Sequence, residues 1–413
     1  MKLAISPEQR FTCQQCGMCC RGAWVVVTPA EVERYRTVGA ARWYTDADAA
    51  APVDPFEPVA HGHYRIRKRA DGACGFLSAD NRCRIHEELG GEAKPLACRV
   101  FPFRFHAASG RPLVTTSASC PTIVRNEGEP LTAQAKPIAA LRAEWVRAFP
   151  EPDGVLAFAR GRPIDGATVA AIKDALRGIL DRAGAETEAG LAFAVESMAR
   201  WLEDLSRHRV ARLPPEAFAE YVALTGRHAA ASQAEPLRGR ASAVTRMLSR
   251  GFLFTVVAVR DQAASASGGA GRQLRRIRQL AHLHGLAPAT GTLDRGARHT
   301  VALDMSNDDV RRIVRDRLRS IVDGLGTGRR PLVDEIGVEC ATLAAGIELA
   351  AMAARRAGAA GIDSATLTTG ITAAAQLAHA DSGALAALLP MLAGGVDALR
   401  LVSAWLVPGR PPD

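Results

Sequence analysis

Cys13-Gln14-Gln15-Cys16-Gly17-Met18-Cys19-Cys20 decides how the first third of this 413-residue chain is read. Two thiols three residues apart on a turn can point at one small centre. Three thiols at successive two-residue spacing wrap such a centre, as the C-x2-C-x2-C run of bacterial ferredoxins does. A loop of this kind supplies three ligands, and the fourth arrives from far along the chain. Cys74, Cys83, Cys98 and Cys120 are the distant thiols, so eight of the nine cysteines fall between Cys13 and Cys120. Cys19 and Cys20 are adjacent, and adjacent side chains diverge. Eight thiols in this order fit two four-ligand sites, or one site with spare cysteines beside it. The ninth, Cys340, reads as a buried apolar filler.

Three chemistries use cysteines in this density. Disulfides need an oxidising compartment, and Met1 to Phe11 contains no apolar run of signal-peptide length, so the expected location is cytoplasmic. Zinc accepts a Cys-x2-Cys pair, but a second clean pair of that spacing is missing. An iron–sulfur cluster, of the 4Fe-4S kind, is the first expectation and zinc the alternative. The candidate ligands are Cys13, Cys16, Cys19, Cys20, Cys74, Cys83, Cys98 and Cys120. His61, His63 and His86 lie in the same section and are secondary candidates. Arg99, next to Cys98, is a candidate donor to a ligating sulfur.

Outward from the cysteines, residues 1–131 read as short strands, turns and one or two helices. Trp24 to Val27 is a β run, and Thr28-Pro29-Ala30-Glu31 is a capping box with proline in the first helical turn. A helix through Val32, Tyr35 and Val38 follows. Tyr64 to Arg67 alternates like a strand and stops at Asp71-Gly72. Gly75 to Leu77 and Arg82 to Ile85 flank Asp80-Asn81, which predicts a hairpin carrying Cys74 and Cys83. Phe101 to Phe105 and Leu113 to Thr116 are further strands, and residues 45–62 are a surface loop.

Beyond residue 131 the composition turns to alanine- and leucine-rich helix. Val169, Ile172, Leu176, Ile179 and Leu180 share one helical face, as do Leu191, Val195, Met198, Leu202 and Leu205. Val310 to Val322 repeats the pattern, with Gly324 placed to stop it. The fold class is therefore α+β: a small cysteine-rich metal-binding domain over 1–131, then a larger all-α domain over 132–413. Gln262 to Gln273, rich in Ala, Ser and Gly, is the candidate connection between two helical subdomains.

The net charge is +9, carried almost wholly by arginine. Aromatic residues make up 5% and do not interleave with a basic stripe, so the stacking half of a nucleic-acid site is missing. Nucleic acid is not an expected partner. Ala384 to Val407 is broken by Pro390, Asp397 and Arg400, so no membrane span is expected. Cys16-x3-Cys20 opens the radical S-adenosylmethionine pattern, but residue 23 is alanine. Gly324-Leu-Gly326-Thr-Gly328-Arg-Arg resembles a phosphate loop, yet it follows a helix and lacks the lysine, so it reads as a linker. His282-Leu-His284 beside Arg272, Arg275, Arg276 and Arg278 reads as a solvated helix face.

Several blocks, in order, resemble the YkgJ-like cysteine-cluster family, a zinc- or iron-chelating CxxCxxCC domain. They are Cys13 to Gly22, Cys74-Gly75-Phe76-Leu77, Cys83-Arg84-Ile85-His86-Glu87, Lys94 to Phe103, and Cys120-Pro121-Thr122-Ile123. Lys94 stands where the family usually has arginine. The resemblance covers residues 11 to 131 and implies that the eight cysteines are metal ligands. The same domain occurs in flagellin lysine N-methylase, and the layout here, cysteine domain then long helical region, is similar. That similarity implies an iron–sulfur protein-lysine N-methyltransferase using S-adenosylmethionine on a protein substrate, with no catalytic residue carried over. The alternative is a non-catalytic protein whose metal holds the fold while the helical region binds a partner.

Overall fold

The structure is a computed structural model that describes residues 3–22, 25–44, 54–59, 62–69, 72–107, 111–150, 154–182, 187–231, 301–378 and 395–406. Trp24, His61, Asp71, most of the 45–62 loop, the Gln262–Gln273 connection, the His282 cluster and half of Ala384–Val407 lie outside the described residues.

The cysteine section is built from short pieces. Strands β1 (Ala4–Ile5) and β2 (Arg10–Phe11) lead into the cysteine loop and helix α1 (Met18–Gly22). Strand β3 (Val26–Val27) then runs into helix α2 (Pro29–Thr37). The capping box forms as expected: the Thr28 hydroxyl accepts from Glu31 N, and the Glu31 carboxylate accepts from Thr28 N at 2.8 Å. Glu31 also accepts from Leu96 N at 2.7 Å, so one carboxylate starts α2 and anchors the segment that carries Cys98.

Strands β4 (Phe56–Pro58) and β5 (Tyr64–Ile66) complete an antiparallel sheet in the order β3-β5-β4. The hairpin expected at Cys74 and Cys83 is present in part. Single bridges pair Lys68 with Cys74 and Leu77 with Cys83, and Asn81 turns the chain with positive φ. Arg84 and Ile85 do not continue as strand: they open helix α3 (Arg84–Leu89), with Cys83 at its N-cap. Ile85 is buried while the next four residues are exposed, so a one-sided helical turn rather than an alternating strand satisfies this burial.

Helix α4 (Leu96–Val100) carries Cys98. Strands β6 (Phe103–His106) and β7 (Leu113–Thr116) pair antiparallel, and β1 adds to β7 in parallel. Cys120 is the N-cap of helix α5 (Pro121–Arg125), and strand β8 (Glu129–Pro130) pairs with β2.

Helix α6 (Ala135–Ala148) lays Ile138, Leu141 and Trp145 on Leu96, Val100, Phe103 and Phe105. After it come strands β9 (Ala157–Ala159) and β10 (Arg162–Pro163) and helices α7 (Gly166–Leu180), α8 (Glu188–Ser206), α9 (His208–Ala211) and α10 (Pro215–Ala231). Strand β11 (Ala302–Leu303), helices α11 (Asp308–Asp323) and α12 (Leu332–Arg356), strand β12 (Gly361–Ile362) and helices α13 (Ser364–Ala378) and α14 (Asp397–Trp405) follow. Side chains cap the main helices: Asp165 for α7, Thr187 for α8, and Asn307 for α11, which also has Asp308 and Asp309 at its positive end.

The apolar faces read from the sequence meet in one large core centred on α12. That helix is long and apolar enough to cross a membrane by composition, but 83% of its most apolar window is buried in the fold. Cys340 lies on α12, fully buried, as an apolar filler should. Gly324 ends α11 at right-handed φ −79°, so the stop comes from the following loop rather than a left-handed cap. Ala118 and Val124 of the cysteine section belong to the same core.

Candidate metal centre

The cysteine loop bends through two positive-φ residues, Gln15 at 52° and Gly17 at 72°. A Cβ on Gly17 would meet Asn81 Cβ at 3.0 Å, so glycine serves both the turn and the docking of the Cys74–Cys83 hairpin against it. Arg21 donates to Asn81 Oδ1 at 2.8 Å and fixes the same approach. Cys74 N donates to Cys20 O at 2.7 Å, which ties the hairpin to α1 at the cysteines themselves. From the helical region, Gln376 on α13 donates to Met18 O at 3.3 Å. Arg312 on α11 donates to Arg125 O at 2.8 Å, and Asn126 donates to Asp316 at 3.1 Å. The cysteine section is therefore held from both sides.

Cys13 and Cys16 are exposed, Cys19, Cys20, Cys83 and Cys98 are half-buried, and Cys74 and Cys120 are buried. The Sγ atoms of Cys19 and Cys20 lie 3.9 Å apart. The Cys98 thiol feels Cys74, Cys83 and Cys19, while Cys120 feels Cys19. With Cys13, which acts on Lys94 together with Cys19, Cys83 and Cys98, seven of the eight candidate thiols share one neighbourhood, while Cys16 is exposed. Among the described residues, no three Cys, His, Asp or Glu side chains yet converge at chelating distance; the thiols surround a space rather than a point.

Electrostatics fit a cationic guest in that space. A hydrogen bond with Cys20, reinforced by burial, pushes the Cys19 thiol far up. Burial raises Cys98 and Cys120 as well and pushes Cys74 up to about 11. As thiolates these groups carry a desolvation cost that a metal ion offsets on coordination. Burial works against the Lys94 charge, but Cys98, Cys83, Cys19 and Cys13 outweigh it and hold the ammonium charged. Burial lowers Lys68, and Cys74 and Cys20 oppose the shift. Soft sulfur donors with two lysines alongside suit a thiolate-rich zinc or iron centre.

Residues 12–121 match the CxxCxxCC family model, described as a "putative zinc- or iron-chelating domain". The match supports a zinc- or iron-chelating role for this segment. The match covers just over a quarter of the chain and spans all eight clustered cysteines. No curated protein and no solved structure matches the chain.

The other residues singled out from the sequence sit elsewhere. Arg99 pairs with Glu92 at 3.0 Å and with Glu144 on α6. These two pairs make it a link between α4 and α6. His63 packs its ring on Phe149, centroids 5.0 Å apart, and His86 is exposed on α3.

Sequence reasoning missed the cavity beside the thiols. Its volume is about 710 Å³, and Cys19, Cys20, Cys74, Cys83 and Cys98 line it. The facing wall comes from α11, the Gly324–Arg330 loop and the start of α12. That loop is more than a linker. Gly326 N and Thr327 N donate to the Glu335 carboxylate at 2.7 and 3.0 Å, and the Thr327 hydroxyl donates to it too. The linker reading is corrected here: the loop's amides cradle a carboxylate of the same chain. Its glycine-rich pattern was the visible signal.

Proposed function

We propose that the clustered cysteines hold an iron–sulfur cluster whose open side faces a substrate cavity. The observation that carries this reading is that five of the candidate ligands line a 710 Å³ cavity. A purely structural zinc site is closed by four protein ligands. A bare metal ion needs little more than the roughly 30 Å³ of one water molecule, whereas cavities of about 300–1,000 Å³ take small molecules. Cys13, Cys16 and Cys19 would wrap the cluster, with Cys20, Cys74, Cys83, Cys98 and Cys120 supplying the remaining ligands or packing beside it. An iron–sulfur cluster supplies one-electron transfer when bound. The protein's own residues shape the space next to it, exclude water with Phe76, Leu77 and Phe103, and keep Lys94 charged beside the sulfurs. Redox turnover, and methyl transfer from S-adenosylmethionine to a protein lysine, are the activities to assay.

The second reading is structural zinc. The packing of Cys20, Cys83 and Cys98 against a small apolar core of Val27, Tyr35, Phe56 and Phe76 favours it, because so small a core gains much of its stability from a metal. Anaerobic purification with an absorption spectrum and iron, sulfide and zinc analysis separates the two. A broad band near 400 nm with iron and sulfide in equal amount supports the cluster. A colourless protein with stoichiometric zinc overturns it.

A further inference from the structure

The lysine, arginine and glutamate side chains that line the cavity are all engaged already. Arg317 pairs with Glu339, and the glycine-rich loop holds Glu335. Lys94 is kept charged by Cys98, Cys83, Cys19 and Cys13. Arg104, Arg329 and Arg330 each have a partner within the chain. A charged guest would give up its hydration on entry and would have to break one of these contacts to gain a counter-charge. An uncharged guest needs neither.

The rest of the wall offers apolar surface and one orphaned polar group. Phe101, Phe103, Phe105 and Trp145 come from the cysteine section and α6, and Ile321 and Leu325 from α11 and the loop after it. His106 is 5% exposed and lines the same cavity. Its Nε2 lies 2.9 Å from Thr115 Oγ1, and its Nδ1 is buried with no hydrogen-bond partner among the described residues. Burial, then the charges of Arg329 and Arg104, push the imidazole down to about 3, so the ring is neutral at neutral pH. The Thr115 hydroxyl can donate to Nε2 or accept from it, so Nδ1 is a donor in one tautomer and an acceptor in the other. Left unpaired, a buried nitrogen is costly in either state. A hydroxyl answers both, because its oxygen donates and accepts, whereas a carboxylate only accepts and an ammonium only donates.

We propose that the cavity binds an uncharged organic molecule with an apolar ring body and a hydroxyl that bonds to His106 Nδ1. The space, about 710 Å³, is of the size that takes small molecules. The ring body lies against Phe103, Phe105 and Trp145, in the cavity that the cysteines share. That this molecule is what the metal centre acts on rests on the function proposed above; the binding site itself does not.

The test is displacement of the uncharged fluorescent probe N-phenyl-1-naphthylamine from the full chain, purified with its metal, at neutral pH. Three competitors share one skeleton: 2-naphthol, 2-methylnaphthalene and 2-naphthoate. The expected result is one saturable probe site per chain, with 2-naphthol binding about tenfold more tightly than 2-naphthoate, about 1.4 kcal/mol. It should also bind about fivefold more tightly than 2-methylnaphthalene. His106→Phe keeps a ring and removes both nitrogens, so it should bring naphthol and methylnaphthalene to about equal affinity. No saturable site, naphthoate binding as tightly as naphthol, or a naphthol advantage unchanged in His106→Phe would overturn the proposal. Where that variant does not fold, the order of the three competitors on the unmodified chain decides alone. Iron, sulfide and zinc analysis of the same samples separates the two claims: zinc with the naphthol preference intact sinks only the iron–sulfur reading, and a cluster without the preference sinks only this one.

Discussion

Glu335 offers a measurement in which sign and size both follow from the structure. Its carboxylate is 8% exposed and accepts from Gly326 N, Thr327 N and the Thr327 hydroxyl. Those three donors favour the ionised form, yet burial outweighs them and raises the carboxyl from 4.5 to about 7, with Glu339 adding to the shift. A carboxyl raised in the folded state binds its proton more tightly there than in the unfolded chain. Its contribution to stability is therefore fully present below pH 4.5 and is lost as pH rises through about 7. At 1.36 kcal/mol per pH unit, the loss is about 3 kcal/mol. Glu335→Gln keeps the volume and mimics the protonated acid, so this slope should vanish in the variant. Denaturant unfolding of both proteins, followed by circular dichroism at several pH values from 4.5 to 8, gives the difference in stability. Every other titrating group, cysteines included, is common to both proteins and cancels. The difference should move toward the glutamine variant by about 3 kcal/mol as pH rises across this range. Parallel curves would show that the loop's donors, not burial, govern the carboxyl, and the reasoning would be refuted.

Cys16→Ser or Cys19→Ser should remove the metal and lower the stability of the section around residues 11–131, whereas Cys340→Ala should keep full metal content and lose about 1 kcal/mol of core packing; metal analysis with thermal unfolding checks all three. Gly346→Ala should destabilise the helical region by about 1–3 kcal/mol, because a Cβ there would lie 2.6 Å from Ile371 Cα where α12 crosses α13; a melting curve tests it. Arg99→Gln should leave the metal spectrum unshifted while weakening the contact between α4 and α6, since Arg99 bonds Glu92 and Glu144; a shifted absorption or reduction potential would contradict that placement. A fragment ending at residue 150 should unfold at higher denaturant than one ending at 131, by several kcal/mol. It retains Ile138, Leu141 and Trp145 on Leu96 and Phe103, and a buried apolar side chain contributes about 1.5–3 kcal/mol.

Periodic elements were legible in the sequence, and the reason is local. The faces of α7, α8 and α11 bury the residues their 3.6-residue spacing selects, and the Thr28–Glu31 capping box needs only four adjacent residues. Arg84 and Ile85 were misread because a four-residue apolar–polar alternation fits a strand and a single helical turn equally well. Clustering of the cysteines was visible from their spacing, but their sharing of a cavity was not. That depends on Gln376 reaching Met18 and Arg312 reaching Arg125, contacts between residues that are far apart in the chain. The pairing of Arg99 with Glu144 was hidden for the same reason, since adjacency to Cys98 says nothing about α6. The glycine-rich loop was recognised by pattern, while its occupant, Glu335, lies beyond the motif on the next helix.

What joins the two regions is a division of work across the cavity. The cysteine section has short strands and a small apolar core, and it places Lys94 and Arg104 in the cavity wall without completing that wall alone. The helical region has the rigidity to do this: α12 runs through its core, and the Gly324–Arg330 loop is pinned to that helix by Glu335. Gly326, at φ 84° and with Val169 only 2.7 Å from where its Cβ would be, allows the loop to lie flat on α7. The loop thus brings Arg329 and Arg330 to the cavity on a fixed support, with five of the clustered cysteines in the same wall. Placing cations there lowers the cost of collecting negative charge on several thiolates, because charges interact strongly where water is excluded. The helical region is in this sense the other wall of the cavity that five of the clustered cysteines line.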